Sequence, residues 1–439
     1  ISLQTSGGDP YSIVPSKDDI GHGTRLAGII GARGINPELK GVAPDCEFVI
    51  VKLARATKVE LDAALIDKTD VPSYSPWSAL LALRYIISVA RELKRPVVVF
   101  EPLGSNMGSH TGNGIVETSI NNYSGQAGTV VVVPTGNQGN TDTHTEGIIE
   151  SVGDIKDIEI RVGEKQKNLP IEIWINKPNR VKLSIVSPSG EVIDNLESKN
   201  TNNERIKFVY EGTEMIVNFT SPELSTGDSL IFIRAYNLRA GIWKFRLTGQ
   251  YIVEGKYYAW IPQRELLDDE TKFLNPVGYT TLTLSSTSSG AISVAYYNQE
   301  DNSVISESGR GYTRYGMIKP DIAAGGFNAI VTNPGGGTAV ISGSSVAGAV
   351  VTGCCALILQ WAVVDKNYPD IYAVQIKSYI ISGAKGRPGD VYPNREWGYG
   401  MFDMQGVFDR IRETYNPRSD EGFQEYRIKN LFIRKPKDL

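Results

Sequence analysis

At 439 residues the chain has room for one large α/β domain carrying an insertion, or for two to three domains of about 150 residues each. Its 45 Lys+Arg stand against 49 Asp+Glu, a formal net charge of −4 with no block of like sign, which argues against nucleic acid as the main partner. A hydrophobic content of 41% with 9% aromatics is that of a globular protein, and no stretch approaches the roughly 18 consecutive apolar residues of a membrane span.

Ile1 to Gly8 lack an initiator Met, a basic region and an apolar region, so they are no signal peptide and read as the inside of a longer protein. Two textures then alternate along the chain. Cys46-Glu47-Phe48-Val49-Ile50-Val51-Lys52-Leu53 is an apolar run of the kind that forms a strand buried on both faces of a parallel sheet. Ser75-Pro76 supplies an N-cap and first position for a helix over Trp77 to Leu93, with Leu80, Leu81, Leu83, Ile86, Ile87 and Ala90 at helical spacing. Pro96 to Phe100 predicts a second strand; a helix within Gly112 to Gly128 turns Ile115, Ile120 and Tyr123 inward; and Thr129 to Val133 predicts a third strand. Strand and helix repeating in this way imply a doubly wound parallel sheet.

From Gly147 to Pro262 the texture changes to short alternating segments, Ile171–Ile175, Val181–Ile185, Arg205–Val209, Met215–Phe219, Leu230–Ile233 and Trp243–Leu247, separated by turn clusters. That pattern predicts an antiparallel β-sandwich of jelly-roll type. The α/β texture resumes with the strand Ala291–Tyr296, a long apolar helix from about Gly343 to Val363 and a further helix over Ala373 to Ser382. The expected division is therefore 1–146 and 263–439 as the two parts of one α/β domain, with 147–262 inserted between them and a charged tail from Pro417.

Only three histidines are available as a general base. His22 lies in Gly21-His22-Gly23-Thr24 directly before the helical Arg25-Leu26-Ala27-Gly28-Ile29-Ile30. The glycines admit close backbone approach to the ring, although a helix-start His that merely caps has the same local sequence. Ser342-Gly343-Ser344-Ser345-Val346-Ala347-Gly348-Ala349 opens the long apolar helix, where backbone N–H groups and the helix dipole favour a developing oxyanion; a Ser N-cap before small packing residues is the plainer reading. Pro134-Thr135-Gly136-Asn137-Gln138-Gly139 places an Asn at the C-terminal end of a parallel strand, where open α/β sheets hold ligands.

In the order His, Asn, Ser, these three segments resemble the subtilisin-like serine proteases, whose motifs read G-H-G-T, G-N-x-G and G-T-S-x-A. The resemblance implies a subtilisin-like doubly wound fold in which His22 is the general base, Ser345 the nucleophile and Asn137 the side-chain donor to the oxyanion. It also implies that Leu103, Gly104 and Ser105 line the substrate cleft, and it extends to Lys40-Gly41-Val42-Ala43-Pro44 and Lys319-Pro320-Asp321. Ser344 stands where the family usually has Thr, and Gly348-Ala349 where many members have Ala-Pro. A narrower likeness, carried by Asp9 to Ser16, Glu307 to Arg314 and Pro393 to Gly400 and covering nearly the whole chain, is to the clostridial Csp germination proteases. It implies a serine endopeptidase of the bacterial spore, in the cortex and coat region, that cuts the propeptide from a cortex-lytic hydrolase zymogen, and that keeps its own propeptide bound. Some relatives are pseudoproteases, so a catalytically silent binding module that relays a germinant signal is the alternative; an ordinary secreted degradative subtilase is a third.

A triad of this type needs an Asp to orient the imidazole, and its loss costs about ten-thousandfold in rate. Only 21 residues precede His22; Asp9 follows no apolar run, and Asp18 and Asp19 sit so close to His22 that they read as capping or solvated. None is assigned, and the Asp is expected on an upstream segment. His110, in Gly108-Ser109-His110-Thr111-Gly112, reads as a solvated loop residue and His144 as surface. Cys354 and Cys355 fit as small buried hydrophobes, and three cysteines in all, two of them neighbours, encode no disulfide framework. No EF-hand spacing appears in the acidic Glu265 to Glu270 loop, and no metal or other cofactor is expected. The sandwich, lacking a distinctive aromatic or basic patch at its edges, is expected to rigidify the domain.

Overall fold

Four parallel strands form the central layer of the protein, which we describe from a computed structural model covering residues 14, 16–197, 203–415, 423–428 and 431–436. Val97–Phe100, Thr129–Pro134, Ile292–Asn298 and Ile322–Gly325 lie side by side in that order, and Ser303–Val304 pairs antiparallel with the end of the third. The helices are α1 (His22–Gly31), α2 (Lys58–Ala63), α3 (Pro76–Leu93), α4 (Ile115–Ser124), α5 (Ser344–Leu359), α6 (Ala373–Ser382) and α7 (Met404–Tyr415). The Val130 to Val133 run is fully buried because its side chains alternate between two cores. Val130 and Val132 pack with Ile292, Val294 and the α5 residues Ala347, Val351 and Ile358, while Val131 and Val133 pack with Leu83 and Ile87 of α3 and Ile120 of α4. This is the doubly wound arrangement expected from the sequence.

Local chemistry accounts for the element ends. Thr57 and Glu60 form a reciprocal capping box on α2, and Pro76 opens α3, which stops at Lys94 in the left-handed conformation. With its π-helical extension Gln360–Val364, α5 makes a 21-residue stretch of mean hydropathy 2.0, apolar and long enough to cross a membrane. Since 67% of that window is buried inside the protein, the stretch is explained as the core helix. Its small residues allow close approach: a Cβ on Gly348 would lie 2.8 Å from the Phe100 ring and one on Gly353 2.6 Å from Val42. Cys354 and Cys355 are buried here, and burial pushes the Cys354 thiol up to about 12.

Several expectations are corrected. Cys46–Leu53 is not a strand, since it pairs with nothing among the described residues and leaves Phe48 43% and Ile50 70% exposed. A parallel strand needs a neighbour, and among the described residues Val97–Phe100 pairs on one side only, with Thr129–Pro134. Leu81 and Ile115 face outward, because the buried stripes of α3 and α4 run through Leu83, Ile87 and Ala90 and through Ile120. The Asp9 to Ile13 segment, residues 198–202 and the start of the tail at Pro417 lie outside the described residues; Phe423–Ile428 and Leu431–Pro436 of that tail pair as a hairpin.

Two antiparallel sheets occupy the middle of the chain. One orders His144–Ile148, Lys256–Trp260, Leu169–Ile175, Ser229–Tyr236, Glu214–Thr220 and Asn203–Lys207; the other orders Lys272–Phe273, Ile155–Val162, Gly241–Tyr251, Arg180–Val186 and Val192–Leu196. Their strands therefore span His144 to Phe273, wider at both ends than the expected 147–262. Ile171, Ile173, Met215, Val217, Ile231 and Ile233 from one sheet meet Ile158, Ile160, Leu183, Ile185, Phe245 and Leu247 from the other in a single core.

His110 and His144, expected in solvent, are both buried at the seam between the insert and the α/β layer. Both rings stack on one indole, His110 at 4.0 Å and His144 at 4.4 Å from the Trp260 ring centre. Burial drives the His110 imidazole down to about 3, so it is neutral at physiological pH, and its Nε2 bonds the Asn106 carbonyl. Arg314 completes the seam: its guanidinium pairs with Asp228 at 2.5 Å, both side chains wholly buried, donates to Ser109 O and Asn176 Oδ1, and lies 4.9 Å from the Trp174 ring centre.

Candidate active site

The turn into α5 is built around Gly343, whose φ of 148° belongs to the region that favours glycine. A Cβ there would press to 3.2 Å on the Asn137 amide nitrogen. Asn137 Oδ1 accepts from both the Ser344 N–H and the Ser344 hydroxyl, each at 3.0 Å. The side-chain oxygen is thereby fixed, while the amide nitrogen of this exposed residue makes no hydrogen bond among the described residues. Ser344 is buried and Ser345, the next residue, is half-buried in the first helical turn, where its N–H has no intrahelical acceptor. A serine oxygen, a free amide and a free backbone N–H therefore share one helix N-terminus, the donor set an oxyanion requires. Ser344, the departure from the family's usual Thr, keeps the one hydroxyl that the Asn contact uses. Replacing Asn137 by Ala is expected to lower kcat by about 100- to 1,000-fold with KM little changed, checked by steady-state peptide hydrolysis.

His22 is the first residue of α1 and is half-buried. Asp18 caps this helix: its carboxylate accepts from the Gly21 N–H at 2.7 Å, the Thr24 N–H at 3.0 Å and the Thr24 hydroxyl at 2.6 Å. Although partial burial opposes ionisation, those bonds hold its carboxyl down at about 2. Asp19 pairs instead with Lys52 at 3.2 Å and Arg55 at 2.9 Å. Among the described residues no carboxylate hydrogen-bonds the His22 ring. α1 packs on α5, and the hairpin Ala329–Thr332 with Thr338–Ile341, which leads directly into Ser342, leans on its first turn. Thr332 Oγ1 donates to the Thr24 carbonyl at 3.1 Å, and the Arg25 guanidinium donates twice to Asn333 Oδ1. The helix starts bearing His22 and Ser345 are thus held by one hairpin.

Burial, foremost, depresses the His22 pKa below its ordinary 6.5; the Asp18 charge opposes this and Arg25 adds to it. A general base works as the neutral imidazole, so the acid limb of kcat/KM is expected below pH 6.5. Removing the Arg25 charge (Arg25→Leu) favours imidazolium and moves that limb upward, which a pH–rate profile reads.

Leu103, Gly104 and Ser105 follow the strand Val97–Phe100 at its C-terminal end. Ser105 O accepts from the Leu284 N–H at 3.0 Å, and Thr283 packs directly behind both Gly104 and Gly136, so one side chain joins this segment to the Asn137 loop. Thr283 had no signal in the sequence, where it is one of four threonines between Thr280 and Thr287 flanked by serines. The buried pair Lys319 and Asp321 (2.6 Å) secures the strand Ile322–Gly325, with burial pushing the Lys319 amine down to about 7. Asn137 is thus bonded to the start of α5, Thr283 joins its loop to Leu103–Ser105, and the hairpin before Ser342 holds the His22 helix, while His110 and His144 belong to the seam.

The subtilase family profile matches residues 4–171 and 273–400. Among solved structures, the Clostridium perfringens CspB protease matches at a TM-score of 0.84 and 29% identity, covering 95% of this chain and 84% of that one. The self-cleaved protease domain of PatA follows at 0.43 and 13% identity (89% and 83% covered), and sphericase at 0.41 and 16% (88% and 78%). Among functionally curated proteins, none matches this chain.

Proposed function

We propose, from the premise that this chain belongs to the subtilase family and is a subtilisin-like serine peptidase, that it activates a spore cortex-lytic hydrolase by cutting off the propeptide of that zymogen during germination. Ser345 attacks the scissile carbonyl, His22 takes its proton and later protonates the leaving amine, and Asn137 with the Ser345 N–H holds the oxyanion. The observation that supports the catalytic part is the Asn137–Ser344 bonding, which ties the Asn side chain to the residue before Ser345 through its oxygen and leaves its amide N–H groups to donate. The zymogen and the spore location rest on the likeness to the CspB protease over nearly the whole chain.

The triad carboxylate we assign to a segment outside these residues, seated as a further strand against the open edge of Val97–Phe100. Two features support that placement: the unpaired Cys46–Leu53 run keeps Phe48 and Ile50 exposed, and a Glu47–Arg95 ion pair of 3.1 Å holds its start near the start of the open strand. The exposed stripe Trp77, Leu81 and Tyr85 along α3 supports a bound propeptide. The test is incubation of the protease with a cortex-lytic zymogen and with casein, beside fluorophosphonate labelling. Zymogen cleavage at one site with casein spared supports the processing role, and broad casein digestion favours a degradative enzyme. Absence of labelling favours the silent relay module, whose discriminating feature would be a site that binds without an activated serine.

A further inference from the structure

Ile261 to Glu265 leave the strand Lys256–Trp260 and reach the Leu103–Ser105 segment. The backbone there is anchored on the Asn137 loop: Arg264 N–H donates to Gln138 Oε1 at 3.0 Å, Gln138 Nε2 donates to the Glu265 carboxylate at 3.1 Å, and Ile261 N–H donates to Thr143 O at 3.1 Å. From this base the half-buried Gln263 extends its amide and donates to the exposed Gly104 carbonyl at 2.7 Å. With Thr283 packed behind Gly104, a peptide lying along this segment must come from the open side and take up main-chain groups by strand addition. Ser105 O is already used by Leu284, so the exposed Gly104 carbonyl is one of the main-chain acceptors this segment can still offer a peptide.

We infer that Gln263 is a specificity-determining residue contributed by the insert, whose amide competes with the backbone N–H of an extended substrate for the Gly104 carbonyl. This rests on the reading of Leu103–Ser105 as cleft lining. Short substrates ignore the contact; longer ones must expel the amide, so the insert selects for segments that bring enough additional contact to do so. Gln263 is a binding-selective residue, outside the reacting atoms.

The experiment uses the active protease and N-blocked peptidyl p-nitroanilides, which occupy only the acyl side of the cleft. The residue before the cut is the one the wild type cleaves fastest from a varied set, and the peptide is two or four residues long. Gln263→Ala is expected to lower KM for the four-residue peptide by about fivefold, the net worth of one neutral hydrogen bond, with kcat and the two-residue peptide unchanged. Gln263→Glu, which keeps the shape but cannot donate when ionised, is expected to match it, with both variants melting as the wild type does. An equal change for both lengths, or a raised KM for the longer peptide, overturns the competition and makes Gln263 a scaffold contact. A wild type indifferent to length, or without turnover on the whole set, overturns the cleft reading itself and the competition with it.

Discussion

Ser345→Ala is expected to abolish fluorophosphonate labelling and to lower kcat for peptide hydrolysis by about a millionfold, with the fold intact. The magnitude follows from removing the only oxygen that forms the acyl-enzyme, while binding and oxyanion donors remain and leave a residual acceleration of about a thousandfold over water. Structural damage is excluded by the partners: the hydroxyl that ties α5 to Asn137 belongs to Ser344, so the Ser345 change leaves that turn untouched. Circular dichroism and melting curves of the variant check this. A variant that keeps its labelling would move the nucleophile elsewhere.

Arg314→Met is expected to destabilise the protein by about 3–5 kcal/mol, the cost of leaving one partner of a buried ion pair alone. Asp228 would lose the guanidinium at 2.5 Å in surroundings where neither side chain has any exposure. Of its remaining partners, the Lys177 N–H at 3.0 Å and the Tyr315 hydroxyl at 2.9 Å, neither carries the opposing charge. Arg314 also donates to Ser109 O of the α/β layer and to Asn176 of the insert, so the same change unfastens the two parts. A lowered Tm accompanied by faster proteolysis within the insert is the expected reading, and it would give the rigidifying role of the sandwich its mechanism. Asp228→Asn is expected to cost a comparable amount, since the Arg charge loses its counterpart and the amide NH2 would face groups that themselves donate.

The sequence was most legible where periodicity is local. Ala373–Ser382 was expected and found with the same bounds, and the valine run at Thr129 reads as a doubly buried strand because both faces of the sheet are covered. Glycine and small residues around His22, Asn137 and Ser345 marked the site because close approach at those turns requires them, as Gly343 shows. The Cys46–Leu53 run failed because its pattern reports apolar character alone, whereas strand formation depends on a neighbour. His110 and His144 misled for a related reason: their polar flanks read as loop, and the indole that buries them is Trp260, more than 100 residues downstream of either. Gln263 and Thr283 carry no local mark, since each acts on a glycine of another segment.

The pairing of the insert's own ends has a consequence for the order of folding. His144–Ile148 lies antiparallel to Lys256–Trp260, so His144 sits opposite Trp260 and the folded insert delivers both its ends side by side. Without that pairing, the Thr283 N–H could reach the Thr135 carbonyl, 3.0 Å away in the native state, only by closing a disordered loop that contains the whole insert. With it, what remains to be closed is the short stretch from Thr135 to His144 and the longer one from Trp260 to Thr283. The sandwich is therefore a folding template for the Thr283 bridge: strand pairing already sets the Asn137 loop beside the Gly104 segment, and zipping of the insert brings Thr283 back to pack behind both. An emerging chain would acquire its cutting edge late, once the segment least related to catalysis is complete.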